Sequence, residues 1–260
     1  MSDNTKQVLS FAVELGDAML RNGAEVYRIE DTVINILNAY DIDDCDVYVL
    51  SNGIFASANE TTVHGSSIIR HVPLGPSHLG RIAALNQLAR DVCEHKLSID
   101  AGWQQLARCM AIPTYSKWVN TIFGGIGAAG FSYLFGGSVI DAIVSLFIGM
   151  LLNLFLTVLR KHKTSKFMVN ILGSMFVTVL AILALLLPFT MHYDKVIIGG
   201  IMALVPGIAL TTSIRDIFNG DYLSGAIHLI DALLTSFCIA VGVGVIITIC
   251  KLFLGGILIL

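Results

Sequence analysis

Charge is what this 260-residue chain has least of. Asp, Glu, Lys and Arg make up 13% of it, about half the roughly 25% usual in soluble domains. Hydrophobic residues make up 55%, and the mean hydropathy is +0.77. A net charge of −3 leaves no basic stripe to displace phosphate counterions, which excludes nucleic acid as a partner. The five cysteines (Cys45, Cys93, Cys109, Cys238, Cys250) are odd in number and form no C-x-x-C pair. Neither a disulfide framework nor a zinc cage is expected, and reduced thiols are. G-x-S-x-G, H-E-x-x-H and Walker sequences are missing too, so hydrolytic or ATP-driven chemistry has no support and no cofactor is expected. His64, His71 and His78 fall on different predicted elements, and Asp41–Asp46 lacks the spacing and glycine of a calcium loop, so no metal is expected either. The opening MSDNTKQ is polar, unlike a secretory signal.

The charge that is present is unevenly placed. Residues 1–112 hold most of the carboxylates and half of the basic residues. Val8, Phe11, Ala12, Leu15 and Met19 recur at helical spacing, with Glu14, Asp17 and Arg21 opposite, and Asn22-Gly23 ends that helix. Val26, Ile29, Val33, Ile36 and Leu37 mark a second helix, up to about Tyr40. Val47–Leu50 and Ile54–Ala58 read as a hairpin around Asn52-Gly53, followed by a third strand at Ser67–Val72. Helices at Ser77–Lys96 and Ser98–Met110 complete a small α+β domain.

Pro113 marks a boundary, and residues 113–260 read as a membrane domain. Five apolar segments approach the roughly 20 residues needed to cross a bilayer: 118–135, 139–159, 167–187, 196–214 and 226–249. The expected fold is therefore an α-helical membrane protein, with five transmembrane helices preceded by a cytoplasmic α+β domain. The link Arg160–Lys166 (RKHKTSK) has four basic Lys and Arg residues and no acid. By the positive-inside rule it is cytoplasmic, which puts the N-terminus inside and the C-terminus outside. The tail after Lys251 is too short to cross again, and extends the fifth helix or lies at the surface. Gly125–Gly130 matches G-x-G-x-x-G, but inside an apolar segment it signals close helix packing rather than a dinucleotide site.

Charges and breaks inside apolar segments mark candidate sites. Asp141 shares a face with Ser138 and Ser145; it is a proton-carrying candidate or a helix N-terminal acid. Ser224, His228, Asp231 and Thr235 lie on one stripe, so His228 and Asp231 can touch and bind a proton. Pro206-Gly207 interrupts the fourth segment and frees backbone groups that lipid cannot satisfy. Thr211, Thr212 and Arg215 follow, with Asp216, and a guanidinium fork suits a carboxylate. These six residues are the expected substrate region; a packing kink with an interfacial ion pair is the bland alternative.

Two stretches resemble the threonine/serine exporter family. Asn22–Glu30 (NGAEVYRIE) looks like its N-terminal signature, with Gly23, Glu25, Arg28 and Glu30. Leu204-Val-Pro-Gly207, Arg215-Asp216, Gly220-Asp221-Tyr222 and Gly225 form the second match. The resemblance covers essentially the whole chain, and it departs from the pattern at His228 and Asp231 in the fifth segment. It implies a multi-pass protein of the plasma (inner) membrane that exports small polar metabolites, driven by the proton motive force. Fused members are associated with threonine and serine, split members with succinate. A chain of five segments matches the long subunit of the split form, similar to the succinate-export type. It would then pair with a small, separately encoded membrane subunit in a hetero-oligomer, or form a homo-oligomer. The expected function is a secondary exporter of a carboxylate-bearing metabolite, not an enzyme. The alternative is a membrane-anchored scaffold or sensor whose cytoplasmic domain binds a ligand or protein.

Overall fold

The computed structural model describes residues 3–59, 66–73, 75, 77–161 and 164–253. His64, part of the basic link (His162 and Lys163) and the tail from residue 254 lie outside the described residues. The chain divides into two compact units, residues 1–114 with 211–229, and residues 115–210 with 230–260.

The first unit opens with helices α1 (Asp3–Arg21) and α2 (Val26–Ala39). Strands β1 (Cys45–Leu50), β2 (Gly53–Ala58) and β3 (Ser66–His71) follow, then α3 (Leu79–Cys93) and α4 (Ile99–Met110). The strands form an antiparallel sheet in the order β1-β2-β3. Leu50 pairs with Gly53, so the hairpin loop is Ser51-Asn52, one residue earlier than the Asn-Gly signal suggests. Phe11, Leu15 and Met19 of α1 are fully buried, together with Ile29, Ile36 and Leu37 of α2, Ile54 of β2, and Leu85 of α3. Each such side chain contributes about 1.5–3 kcal/mol of burial. The helix α1 runs through the centre, and its supposed outer face is covered: Asp17 is 5% exposed. Arg21 makes that burial tolerable by donating from Nε to Asp17 at 2.6 Å.

The second unit contains α5 (Lys117–Leu134), α6 (Val139–Lys161), α7 (Lys166–Ala184) and α8 (Tyr193–Ile201). Two further helices, α9 (Gly207–Phe218) and α10 (Tyr222–Phe253), contain the divisions between the units. Close packing of α5 on α6 runs through small residues: a Cβ on Gly149 would lie 2.6 Å from Ala128 Cβ and 3.1 Å from Gly125 Cα. Gly127 and Gly130 face open space, so half of the glycine-rich motif makes the seam.

The expectation of five transmembrane helices is corrected here. Among the described residues, three helices are long and apolar enough to cross a membrane: α6, α7 and α10. The first expected segment, α5, has 18 residues, but they include Lys117, Asn120, Thr121, Ser132 and four glycines, which dilute its apolar character. Residues 196–214 are not one helix. Eighteen or more residues are needed, whereas α8 has 9 and α9 has 12, separated by a break at Met202–Pro206.

Two glycines end helices in a shared way. After α1, Gly23 N–H donates to Leu20 O and Ala24 N–H to Met19 O; after α9, Gly220 N–H donates to Ile217 O and Asp221 N–H to Asp216 O. Both are Schellman closures, with φ of 81° at Gly23 and 93° at Gly220. A Cβ on Gly220 meets nothing, whereas one on Gly23 would lie 3.1 Å from Ser77 Cα. G220A should therefore lose about 1 kcal/mol from backbone strain alone, or roughly 2–4 °C of melting temperature. G23A should lose clearly more. Thermal melts of the purified chain showing equal shifts would contradict this ordering.

Candidate functional site

The first unit gathers most of the charged candidates. The Schellman turn at Gly23 leads into Glu25, the N-cap residue of α2, and Arg28 follows one turn later. Glu25 Oε1 pairs with Arg215 NH1 of α9, and Glu25 Oε2 lies 3.2 Å from Arg28 Nε. Next to Arg215, Asp216 turns inward and is 1% exposed. Its Oδ2 lies 3.1 Å from His228 Nδ1, one α10 turn beyond Ser224. Ser224 Oγ accepts from the Ser51 N–H at 3.1 Å, tying α10 to the β1–β2 loop. Gly225 permits the close approach of α10 to α9: a Cβ there would lie 3.0 Å from both Ser213 O and Ile217 N.

Burial pushes the Asp216 carboxyl above the ordinary carboxylate range, an effect that the His228 hydrogen bond opposes. Burial also raises Glu30, opposed by the Val49 N–H it accepts and reinforced by Asp221 and Asp31. The four signature residues of the N-terminal stretch thus divide. Gly23 shapes the turn, Glu25 meets both Arg215 and Arg28, and Glu30 faces Val49 and Asp221.

The remaining candidates lie elsewhere. His228 and Asp231 do not pair: His228 faces Asp216, while Asp231 Oδ2 is bonded by Lys166 Nζ. Charge choice explains this, because a permanent ammonium from the basic link outcompetes an imidazole for an exposed carboxylate. Asp141 closes a capping box, accepting from Ser138 N–H at 2.7 Å while Ser138 Oγ accepts from Asp141 N–H at 3.2 Å. It also accepts from the His192 N–H at 2.9 Å, which joins the start of α6 to the start of α8. Pro206-Gly207 sits at the α8–α9 break. A groove of about 440 Å³ beside the break is lined by Ile201, Val205, Ser236, Ile239, Ala240, Val243 and Gly244, and is apolar. Neither Pro206 nor Gly207 lines it. Thr211 is exposed and Thr212 half-buried, on the α9 turn before Arg215. Among the described residues, no cluster of three or more His, Cys, Asp or Glu could hold a metal.

Ser51 and Lys166 escape notice as site residues in the sequence, and Asp221 appears there only within the Gly220-Asp221-Tyr222 match. Ser51 is an ordinary turn residue until its loop is seen against α10, and Lys166 reads only as part of a basic link. Gly220-Asp221 is the one signal that could have flagged Asp221.

The raised Glu30 pKa has a stability consequence. A carboxyl whose folded pKa exceeds its ordinary 4.5 contributes fully at acid pH, and its contribution is lost as pH rises through the folded value. Gln can still accept from Val49 N–H but does not ionise. E30Q should therefore gain melting temperature relative to wild type at pH 7 compared with pH 4. An unchanged difference between the two pH values would show that Glu30 ionises without penalty.

Comparison with known proteins follows the same two stretches. Residues 10–250 match the ThrE family model, described as "Putative threonine/serine exporter". A relative from Mycobacterium tuberculosis (strain ATCC 25618 / H37Rv), named "Probable threonine/serine exporter", is 24% identical over 242 residues. That match covers 92% of this chain and 46% of the relative, so the chain spans about half the length of the relative it matches. No solved structure matches the chain. Since the family match takes in both signature stretches and almost all of the chain, the protein belongs to the threonine/serine exporter family, a family of membrane transporters rather than enzymes.

Proposed function

We propose that the chain is part of a secondary exporter for small carboxylate-bearing metabolites, either a dicarboxylate such as succinate or threonine and serine. The observation that carries this reading is the meeting of Arg215-Asp216 with Glu25, Arg28 and His228 in one unit. A guanidinium fork beside a buried carboxylate–imidazole pair offers an anion grip next to a titratable group. In this mechanism Arg215 takes the substrate carboxylate, with Thr211 and Thr212 on the preceding turn beside it. We assign the coupling proton to Asp216, whose carboxyl is raised by burial, with His228 as its hydrogen-bond partner. Asp141 and Asp231, engaged by Ser138 with His192 and by Lys166, serve structure in this scheme.

The four Lys and Arg residues of the link Arg160–Lys166, with no acid, support a cytoplasmic side for that connection by the positive-inside rule. We assign the chain to the long subunit of a split system, working with a small, separately encoded membrane subunit. The support is the resemblance carried by Asn22–Glu30 and by Leu204–Gly207 with Arg215-Asp216.

Cells expressing the chain with its partner should export labelled succinate or labelled threonine, and comparing the two decides the substrate. R215A should cut that export at least about tenfold, the effect of losing one charge-assisted grip worth roughly 1.4 kcal/mol or more. Normal export by R215A would remove Arg215 from the mechanism.

A further inference from the structure

We infer that Arg28 and Arg215 form a two-arginine carboxylate site, and that Glu25 is its occupant when no substrate is bound. This rests on the exporter reading for the identity of the ligand, but not for the existence of the site.

The first observation is a cap that is not made. Glu25 is the N-cap residue of α2, with extended backbone (φ −72°, ψ 136°), yet its side chain forms no cap hydrogen bond. The first-turn N–H groups of a helix are the usual partners of a side chain at this position. Here the carboxylate is drawn away to Arg215 on one oxygen and Arg28 on the other. The second observation is that this arrangement is imperfect. Glu25 Oε2 is shielded from solvent and, although Arg28 Nε is 3.2 Å away, it has no aligned hydrogen bond.

The third observation is charge. Two guanidinium groups face one carboxylate, leaving the trio with one net positive charge. Asp216 feels the neighbouring Arg215 charge but makes no ion pair with it, because its hydrogen bond goes to His228. The Arg28 and Arg215 side chains are 56% and 50% exposed, so both forks are within reach of a dissolved anion. A ligand carboxylate can take both oxygens of a planar fork in parallel, which improves on the contact Glu25 makes. Once displaced, Glu25 has a second place to go: the N-terminus of its own helix, where a carboxylate is favoured by the peptide dipoles. Glu25 thus exchanges a clamp contact for a cap as substrate arrives, and acts as an internal competitor that sets affinity.

The test measures binding, not flux. The purified full chain in lipid nanodiscs is titrated calorimetrically with succinate and, separately, with threonine. E25Q removes the competing charge without removing any cap bond. It should bind one of the two ligands about fivefold more tightly, the scale of a partly exposed ion pair. R28A and R215A should weaken the same ligand about tenfold or more, and R215K should fall between R215A and wild type because it keeps the charge but not the fork. Whichever ligand shows the gain is the carboxylate source.

Unchanged or weaker binding of both ligands by E25Q overturns the inference, as does a complete lack of binding in both wild type and E25Q. Weaker threonine binding alone would assign Glu25 to an ammonium group instead, and overturns it too. If the affinities follow the expected order but no efflux accompanies them, the exporter reading fails while the two-arginine site stands.

Discussion

A carboxylate between two guanidinium groups is the contact on which the charged part of the first unit depends. Glu25 is brought to Arg215 by a left-handed glycine two residues before it. Arg215 is presented by a short helix that another left-handed glycine ends five residues later. Move either turn and the charges lose one another; partly buried, unpaired ions are costly enough to be avoided. Gly225 and the Ser51–Ser224 bond complete the arrangement, letting α10 lie close to α9 and fastening it to the β-hairpin. The residues that resemble a signature in sequence thus divide into glycines that aim the chain, Gly23, Gly220 and Gly225, and the charged groups they bring together.

The second unit solves a different problem. Within hydrocarbon there is no hydrophobic gain from putting one apolar helix on another, so close backbone approach has to supply the attraction. Gly125 and Gly149 provide it between α5 and α6, and Gly242 does so for α10 on α7, where a Cβ would lie 2.6 Å from Ile171 O. Some polar groups in this interior are bonded locally, Thr178 donating to Ser174 O at 2.8 Å and Ser174 to Ile171 O at 3.0 Å, whereas the buried Ser132, Ser145 and Thr235 hydroxyls make no hydrogen bond. Asp141 is the largest such admission. It is fully buried, and its ties to Ser138 and His192 fasten the starts of two helices.

What could be read in advance follows from the range of each interaction. Helices α1 to α4 and the three strands are marked by local periodicity and turn residues, and their bounds differ from expectation by a few residues. The turn at Ser51-Asn52 lies one residue from where the Asn-Gly signal pointed, because a loop is fixed by strand register as well as by its own residues. Five transmembrane helices were expected because the Pro206-Gly207 break was read as an interruption within one span, and the polar residues of the first segment were given too little weight. A proline-glycine break divides one segment into two short helices, and polar residues with glycine dilute another. The candidate site was half visible. Residue types and helix faces singled out Arg215, Asp216 and His228, but which acid meets which base is decided by distant chain. His228 chose Asp216 over a carboxylate three residues away on its own helix, and no spacing rule could foresee that.

The α9–α10 turn also sets an order of events during synthesis. Asp216 and His228 are 12 residues apart, so they meet almost as soon as the turn leaves the ribosome. Ser51 and Ser224 are separated by 173 residues. At roughly 5–20 residues per second, the β-hairpin must wait on the order of ten seconds or more for its contact. During that interval Glu25 and Arg28 of α2 wait for Arg215, and the first 114 residues need a core sound enough to hold their shape alone. The nearly seamless burial of α1 is what makes such waiting tolerable.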